Sequence, residues 1–271
     1  MRIPLDFPFE SKFVDVCGSN IHYIEQGNGQ VFLFLHGNPT WSYLWRNVIP
    51  PIAEHGRCVA FDLIGFGKSD KPDIGYTFLE HYKYVQGFIN ALGLKHIILA
   101  GHDWGGVLGF YYALNHRENI KGIAFRETFP FTFTWDYFSG GLRIGFKLFR
   151  TLLIGQFLIM VLNMFVNKIL PRAVYHKLPR EVHQNYQKPF PTIRSRYPVY
   201  VWPNELPIEG KESETFKTIK RIEENLSDFD FPMLLITCKP GGVIREEKIE
   251  WLKGTVKNLT VRDVGNGIHF I

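Results

Sequence analysis

The stretch HIILAGHDWGGVLGFYYAL, residues 96–114, restricts what this chain can fold into more than any other. Residues 97–100 are consecutively apolar, the pattern of a short buried strand, and Gly101 and Gly105 frame a G-x-x-x-G turn. Gly105, Gly106 and Gly109 then recur in an apolar segment that predicts a helix packed closely on a sheet. A strand, a tight turn and a helix in that order raise the central residue, Asp103, on a strained corner at the helix N-terminus, where the ionised carboxylate is favoured. A carboxylate so placed attacks sp³ carbon by displacement and makes an alkyl ester, whereas serine attacks carbonyl carbon and makes an acyl ester. The substrate then carries a leaving group on alkyl carbon. The alternative is that Asp103 only caps the helix; the glycine spacing favours the nucleophile.

Run length and period place the other strands. KFVDV (12–16) and NIHYIEQ (20–26) alternate in polarity about Gly18 and predict an antiparallel pair. VFLFL (31–35) is wholly apolar and ends at His36-Gly37-Asn38-Pro39. A helical patch follows near 43–49, then CVAFDL (58–63), closed by a turn with Gly65 and Gly67. Thr77 and Glu80 have capping-box spacing and open a helix to Leu92, with Gly93 as C-cap. GIAF (122–125), ending at Arg126-Glu127, MLLIT (233–237) and LTVRDV (259–264) complete the strands. Strands alternating with helices predict an α/β fold with a mostly parallel sheet, right-handed crossovers and ligands at the carboxyl ends of the strands. His36, Asn38, Asp103 and Glu127 all fall at such ends.

From 129 to 226 the pattern turns helical, aromatic and apolar, which predicts an inserted helical cap on a core made of 1–128 and 227–271. Its most apolar part, TLLIGQFLIMVLNMFV (151–166), is broken by Gln156 and Asn163. It falls short of the about 20 apolar residues of a spanning helix. It predicts a cap helix wedged over a pocket in preference to a membrane-surface element. A formal net charge of +5, spread over scattered basic residues, argues against nucleic-acid binding. Cys17, Cys58 and Cys238 lack metal-ligand or disulfide-framework spacing, which predicts buried thiols and neither metal nor cofactor. The opening MRIPLDFPFESK has no apolar signal core, so the expected location is the cytoplasm.

A covalent ester must be hydrolysed for turnover, which needs a base, usually a histidine oriented by a carboxylate. His269 follows the last strand through a glycine-containing loop, in the nucleophile, acid, histidine order of the fold, and is the expected base. The loop after 233–237 reads Lys239-Pro240-Gly241-Gly242 and has no carboxylate, leaving Glu127 as the acid; its alternative is a surface salt bridge with Arg126 or a neighbour. The backbone N–H groups of Asn38 and Trp104 are placed for an oxyanion hole. Their side chains add an amide and an indole N–H that can converge on a departing anion such as halide, against the alternatives of a turn-closing Asn and a core Trp.

With these residues in hand, HGNPTWSYLWRNVIP from His36, DLIGFGKSDKP from Asp62, GHDWGG from Gly101 and WPNELPI from Trp202 resemble haloalkane dehalogenases of the α/β-hydrolase fold. The resemblance implies Asp103 as nucleophile, His269 as base, Glu127 as the orienting acid, and Asn38 with Trp104 as the halide pair. It also implies a pocket lined by Phe146, Phe149, Phe165, Trp202, Pro203, Val243 and Phe270, with a halogenated alkane and a halide ion as partners of a monomer or homodimer. Epoxide hydrolases share GHDWGG but need two cap tyrosines, for which Tyr137, Tyr175, Tyr186, Tyr197 and Tyr200 are candidates. Coelenterazine-type luciferases share the HGN loop and the HYKY helix start, and a scaffold that has lost catalysis is a further alternative. Relatives continue past the histidine into a final helix, whereas Ile271 follows His269 by two residues. That predicts a bare apolar face, self-association and a poorly held His269.

Overall fold

The computed structural model describes residues 7–138 and 140–270; the start of the opening segment and Ile271, which enter the expectations above, lie outside the described residues. One eight-stranded sheet runs in the order β1 (Lys12–Val16), β2 (Ser19–Gln26), β4 (Arg57–Phe61), β3 (Val31–Leu35), β5 (Ile97–His102), β6 (Ile120–Arg126), β7 (Met233–Pro240) and β8 (Leu259–Gly267). The β1–β2 and β2–β4 pairs are antiparallel and the other pairs parallel, as alternation at the start and unbroken apolar runs later require. Strand limits drawn from apolar runs are too short at the carboxyl ends of β5 to β8. Backbone pairing continues there after the apolar side chains stop, as in His102 with Arg126 and Pro240 with Gly267.

The helices are α1 (Ile49–Ala53), α2 (Phe78–Ala91), α3 (Trp104–Asn115), α4 (Gly140–Phe149), α5 (Leu152–Gln156), α6 (Leu170–Arg172), α7 (Arg180–Gln187), α8 (Tyr197–Glu205), α9 (Glu214–Glu224) and α10 (Glu246–Thr255). The expected capping box opens α2, with Thr77 accepting from the Glu80 N–H, and Gly93 follows the helix with φ 57°. The main core lies on the face covered by α2 and α3, and a smaller cluster around Ile24, Phe34 and Ile49 lies beneath α1. On that second face Ile98, Ala100, Ala124 and Leu234 are only half-buried. The chain between β6 and β7 carries α4 to α9, of which α9 packs on α3 and so joins the layer covering the sheet.

Two expectations fail here. Residues 151–166 do not make one helix wedged over a pocket: α5 passes into a π-helical turn at Phe157–Val161, Leu152, Leu153 and Phe157 are more than half exposed, and it is the end of the stretch, at Met164 and Phe165, that reaches a cavity. Cys17 is exposed, because it sits in the tight β1–β2 turn with φ 55°, while Cys58 and Cys238 are buried.

The loops that bear the site are held by Asp62, fully buried just after β4. Its carboxylate accepts from the Ser42 N–H at 2.7 Å, the Lys68 N–H at 2.8 Å and His22 Nδ1 at 2.8 Å. Burial alone pushes this carboxyl up; His22 and the Lys68 N–H outweigh it and hold the group below its ordinary value. A carboxyl lowered on folding contributes stability above its unfolded pKa and loses it as pH falls through the folded one. Asp62→Ala leaves these buried donors unmet and is expected to cost about 3–5 kcal/mol at pH 7, read by urea denaturation, with the deficit shrinking below pH 4. A deficit under about 1 kcal/mol would mean that other groups hold the loops.

Candidate active site

Asp103 follows β5 and precedes α3 with φ 52° and ψ −131°, a backbone conformation that side chains other than glycine rarely adopt. The strain is held from three sides. The Asp103 N–H donates to the Glu127 carbonyl at 3.2 Å, and Thr128 Oγ1 donates to the Asp103 carbonyl at 2.6 Å. The third side is close backbone approach: a Cβ on Gly105 would strike the carbonyls of Leu35 and His36, and one on Gly101 would strike the backbone of Gly106. These two glycines are the signature that the sequence displays, and their function is steric.

The carboxylate projects from this corner beneath the loop after β3. Its Oδ1 accepts the Asn38 backbone N–H at 2.7 Å, and Oδ2 lies 3.5 Å from His269 Nε2. His269 Nδ1 in turn lies 3.4 Å from Glu127 Oε2. The same Oε2 accepts the Gly242 and Val243 N–H groups at 2.9 and 2.6 Å, so backbone donors take the short bonds and the imidazole holds the third, longer one. Asp103, His269 and Glu127 are thereby in one line. Burial raises the Asp103 carboxyl above its ordinary value, with His269 and the N–H groups of Trp104 and Asn38 opposing and Glu127 adding to it.

His269 is not loosely held, contrary to the expectation from the sequence. Arg126 Nη1 and His102 Nε2 both donate to the His269 carbonyl, at 2.7 and 2.8 Å, and Arg126 Nη2 donates to the Ile268 carbonyl at 2.8 Å. Arg126 Nη2 also lies 3.1 Å from Cys238 Sγ, and no Arg126–Glu127 ion pair occurs among the described residues. Phe270 continues the anchoring through its N–H to the Ala173 carbonyl at 2.8 Å. His102, whose pKa burial drives well below that of free histidine, is neutral and serves as a one-proton donor. Arg126 and His102 escaped the sequence-level site assignment. The available signal was an arginine ending a buried strand, since such a charge needs partners.

A cavity of about 620 Å³ opens above these groups. Phe146, Phe149, Phe165, Pro203, Val243 and Phe270 line it, with Asn38, Asp103, Trp104 and His269 at its floor. Trp202 does not line it. It is fully buried behind Trp104, stacked on that indole at 4.3 Å and on His81 at 4.4 Å. Trp104 therefore faces the cavity with a locked ring, and its N–H meets no protein acceptor among the described residues. One N–H of the Asn38 amide is committed to the Val199 carbonyl at 3.2 Å.

A nucleophile elbow with a carboxylate at its tip, a histidine after β8 and a second carboxylate after β6 define a hydrolase, and the α/β hydrolase fold family matches residues 30–211. Haloalkane dehalogenases of Mesorhizobium japonicum and Sphingobium indicum are 37% and 38% identical, over 95% and 97% of this chain and 84% and 90% of theirs. The crystal structure of the haloalkane dehalogenase DbeA from Bradyrhizobium elkani superposes with a TM-score of 0.94 at 34% identity, covering 97% of this chain and 91% of that one. The chain belongs to the haloalkane dehalogenase family.

The raised Asp103 carboxyl has a consequence for stability. It binds its proton more tightly in the folded chain, so ionising it costs folding free energy above the ordinary carboxylate range and nothing below it. Asp103→Asn is expected to raise the melting temperature at pH 7, with the gain gone by about pH 3. An equal gain at both pH values would assign the effect to something other than the charge.

Proposed function

We propose that the protein hydrolyses haloalkanes to a primary alcohol, halide and a proton through an aspartyl-alkyl ester. Asp103 Oδ1 is engaged by the Asn38 N–H, which leaves Oδ2 to attack the carbon bearing the halogen. The Oδ2–C bond forms as the C–X bond breaks, and the electron pair leaves with the halide. The Trp104 indole N–H and the uncommitted Asn38 amide N–H stabilise that anion, which needs no proton. His269, oriented by Glu127, then takes a proton from water as the water attacks the ester carbonyl. The N–H groups of Asn38 and Trp104 hold the resulting oxyanion, and its collapse expels the alkoxide, which takes the proton from His269. Collapse leaves Asp103 as a carboxylic acid with an oxygen from water, and loss of its proton, the one released with the halide, regenerates the carboxylate.

The observation that carries this function is a carboxylate at the floor of an apolar cavity beside an indole N–H with no protein acceptor. An apolar cavity excludes water from the displacement step and suits a substrate with no polar group beyond the halogen. The epoxide reading needs two tyrosine hydroxyls aimed at a leaving alkoxide. Of the five candidates only Tyr137 lines the cavity, and its hydroxyl donates to the Val243 carbonyl at 2.6 Å.

Halide release from 1-bromobutane, measured beside styrene-oxide hydrolysis and coelenterazine light emission, tests the reaction. His269→Phe is expected to form the ester and stop there, so mass spectrometry should find one alkyl adduct on Asp103. A folded variant with no adduct, or bromide release matched by epoxide opening, would overturn the proposal. Arg126→Met probes the clamp on the base: displacing His269 by about 1 Å is enough for a loss on the order of 100-fold. The loss is expected in ester hydrolysis alone, so that the wild-type burst of bromide persists while steady-state turnover falls. Equal loss of burst and steady state would make Arg126 a general structural residue.

A further inference from the structure

The outward face of α4 and the bend into α5 are apolar where a surface helix is ordinarily polar. The inner face of α4 supplies Gly145, Phe146 and Phe149 to the cavity wall. Its outer face then exposes Leu142, Ile144 and Leu148, and the bend exposes Leu152, Leu153 and Phe157, with Leu153 at 76% and Leu152 at 65%. The two segments meet at 98°, so the bend stands out as a corner. No single helix among the described residues is long and apolar enough to cross a membrane, and a corner of this kind suits partial insertion.

The charge around the corner is mostly positive, contrary to the even scatter inferred from overall composition, although Asp136 is ion-paired with Arg143 of α4 at 2.9 Å. Residues 137–180 hold seven of the chain's 31 lysines and arginines and none of its 26 acidic residues, so the remainder of the chain carries a slight acidic excess. Lys147, Lys168, Arg172, Lys177 and Arg180 are exposed. Leu142 and Arg172 belong both to this surface and to the cavity wall, which makes the patch continuous with the cavity. A second copy of the chain would bring like charges together at this face, whereas an anionic bilayer offers hydrocarbon to the leucines and phosphate to the lysines.

We infer that the α4–α5 corner docks the protein on anionic lipid bilayers, with the cavity opening beside the membrane surface. The surface is separate from the floor of the site, so docking holds whatever reaction the cavity performs. It also places the cavity next to the phase in which apolar molecules concentrate.

Flotation of the 271-residue chain with vesicles of phosphatidylglycerol and phosphatidylcholine, against phosphatidylcholine alone, tests this. Binding is expected only with the anionic lipid and should collapse at 1 M salt, where the screening length falls to about 3 Å. Leu152→Glu with Leu153→Glu should abolish flotation while bromide release from a water-soluble substrate is retained. Lys168→Gln and Lys177→Gln should each weaken binding about fivefold. The comparison of the two lipids in the unaltered chain stands even where a leucine variant fails to fold. No flotation with the anionic vesicles, or equal flotation with both, would overturn the inference. So would light scattering that shows a dimer dissociated by the leucine variant with lipid binding unaltered.

Discussion

The left-handed backbone at Asp103 is the constraint on which the rest of the site depends. A conformation of that kind costs about 1–3 kcal/mol and persists only where its surroundings over-determine it. Here β3, β5 and β6, adjacent in the sheet, all contribute at their carboxyl ends. The Asn38 N–H after β3 meets the Asp103 carboxylate, and the Glu127 carbonyl and Thr128 hydroxyl after β6 meet its backbone. Glu127 itself has φ 46°, so the acid after β6 sits on a strained corner as well. Bonds that hold the corner also fix the spacing of nucleophile, base and acid, because Asp103 and Glu127 are each the next residue beyond a paired strand and His269 follows β8 by two residues.

Asp62 and Asp103, two of the buried carboxylates, show how environment separates structure from chemistry. Asp62 is saturated with short bonds from His22, Ser42 and Lys68, which hold it below its ordinary value and make it an inert hub. Asp103 is buried with fewer donors, and its carboxyl is raised. Its Oδ2 lies 3.5 Å from His269 Nε2, a distance too long to occupy it fully, which leaves lone pairs available to an incoming carbon. The poor satisfaction that makes Asp103 a liability in folding is what makes it a nucleophile in waiting.

Much of this is legible in the residues alone, for reasons that differ by element. The apolar runs of β3, β5 and β7 announce buried parallel strands because short runs apolar on both faces, bounded by turn residues, suit strands covered on both sides. The elbow is legible because its glycines answer a steric demand that no other residue meets. Trp202 was misplaced because WPNELPI fixes a helix without saying which side of Trp104 its indole takes. Arg126 went unread because neighbours along a strand face opposite ways, so its adjacency to Glu127 suggested a pairing that the sheet forbids. The exposed α4–α5 corner was hidden for a simpler reason: apolar composition reports what a segment avoids, and only coordinates show whether it succeeds.

The stack of His81, Trp202 and Trp104 carries a consequence of a different kind. Two indoles 4.3 Å apart and 24° from parallel do not absorb light independently; their transitions couple, and the pair has a circular-dichroism signature of its own. One member of the pair forms part of the cavity floor, while the other is sealed behind it. Any molecule or ion that perturbs the Trp104 ring therefore alters an optical signal shared with a residue it never touches. The chain contains, in its own aromatic core, a spectroscopic gauge of what occupies the cavity.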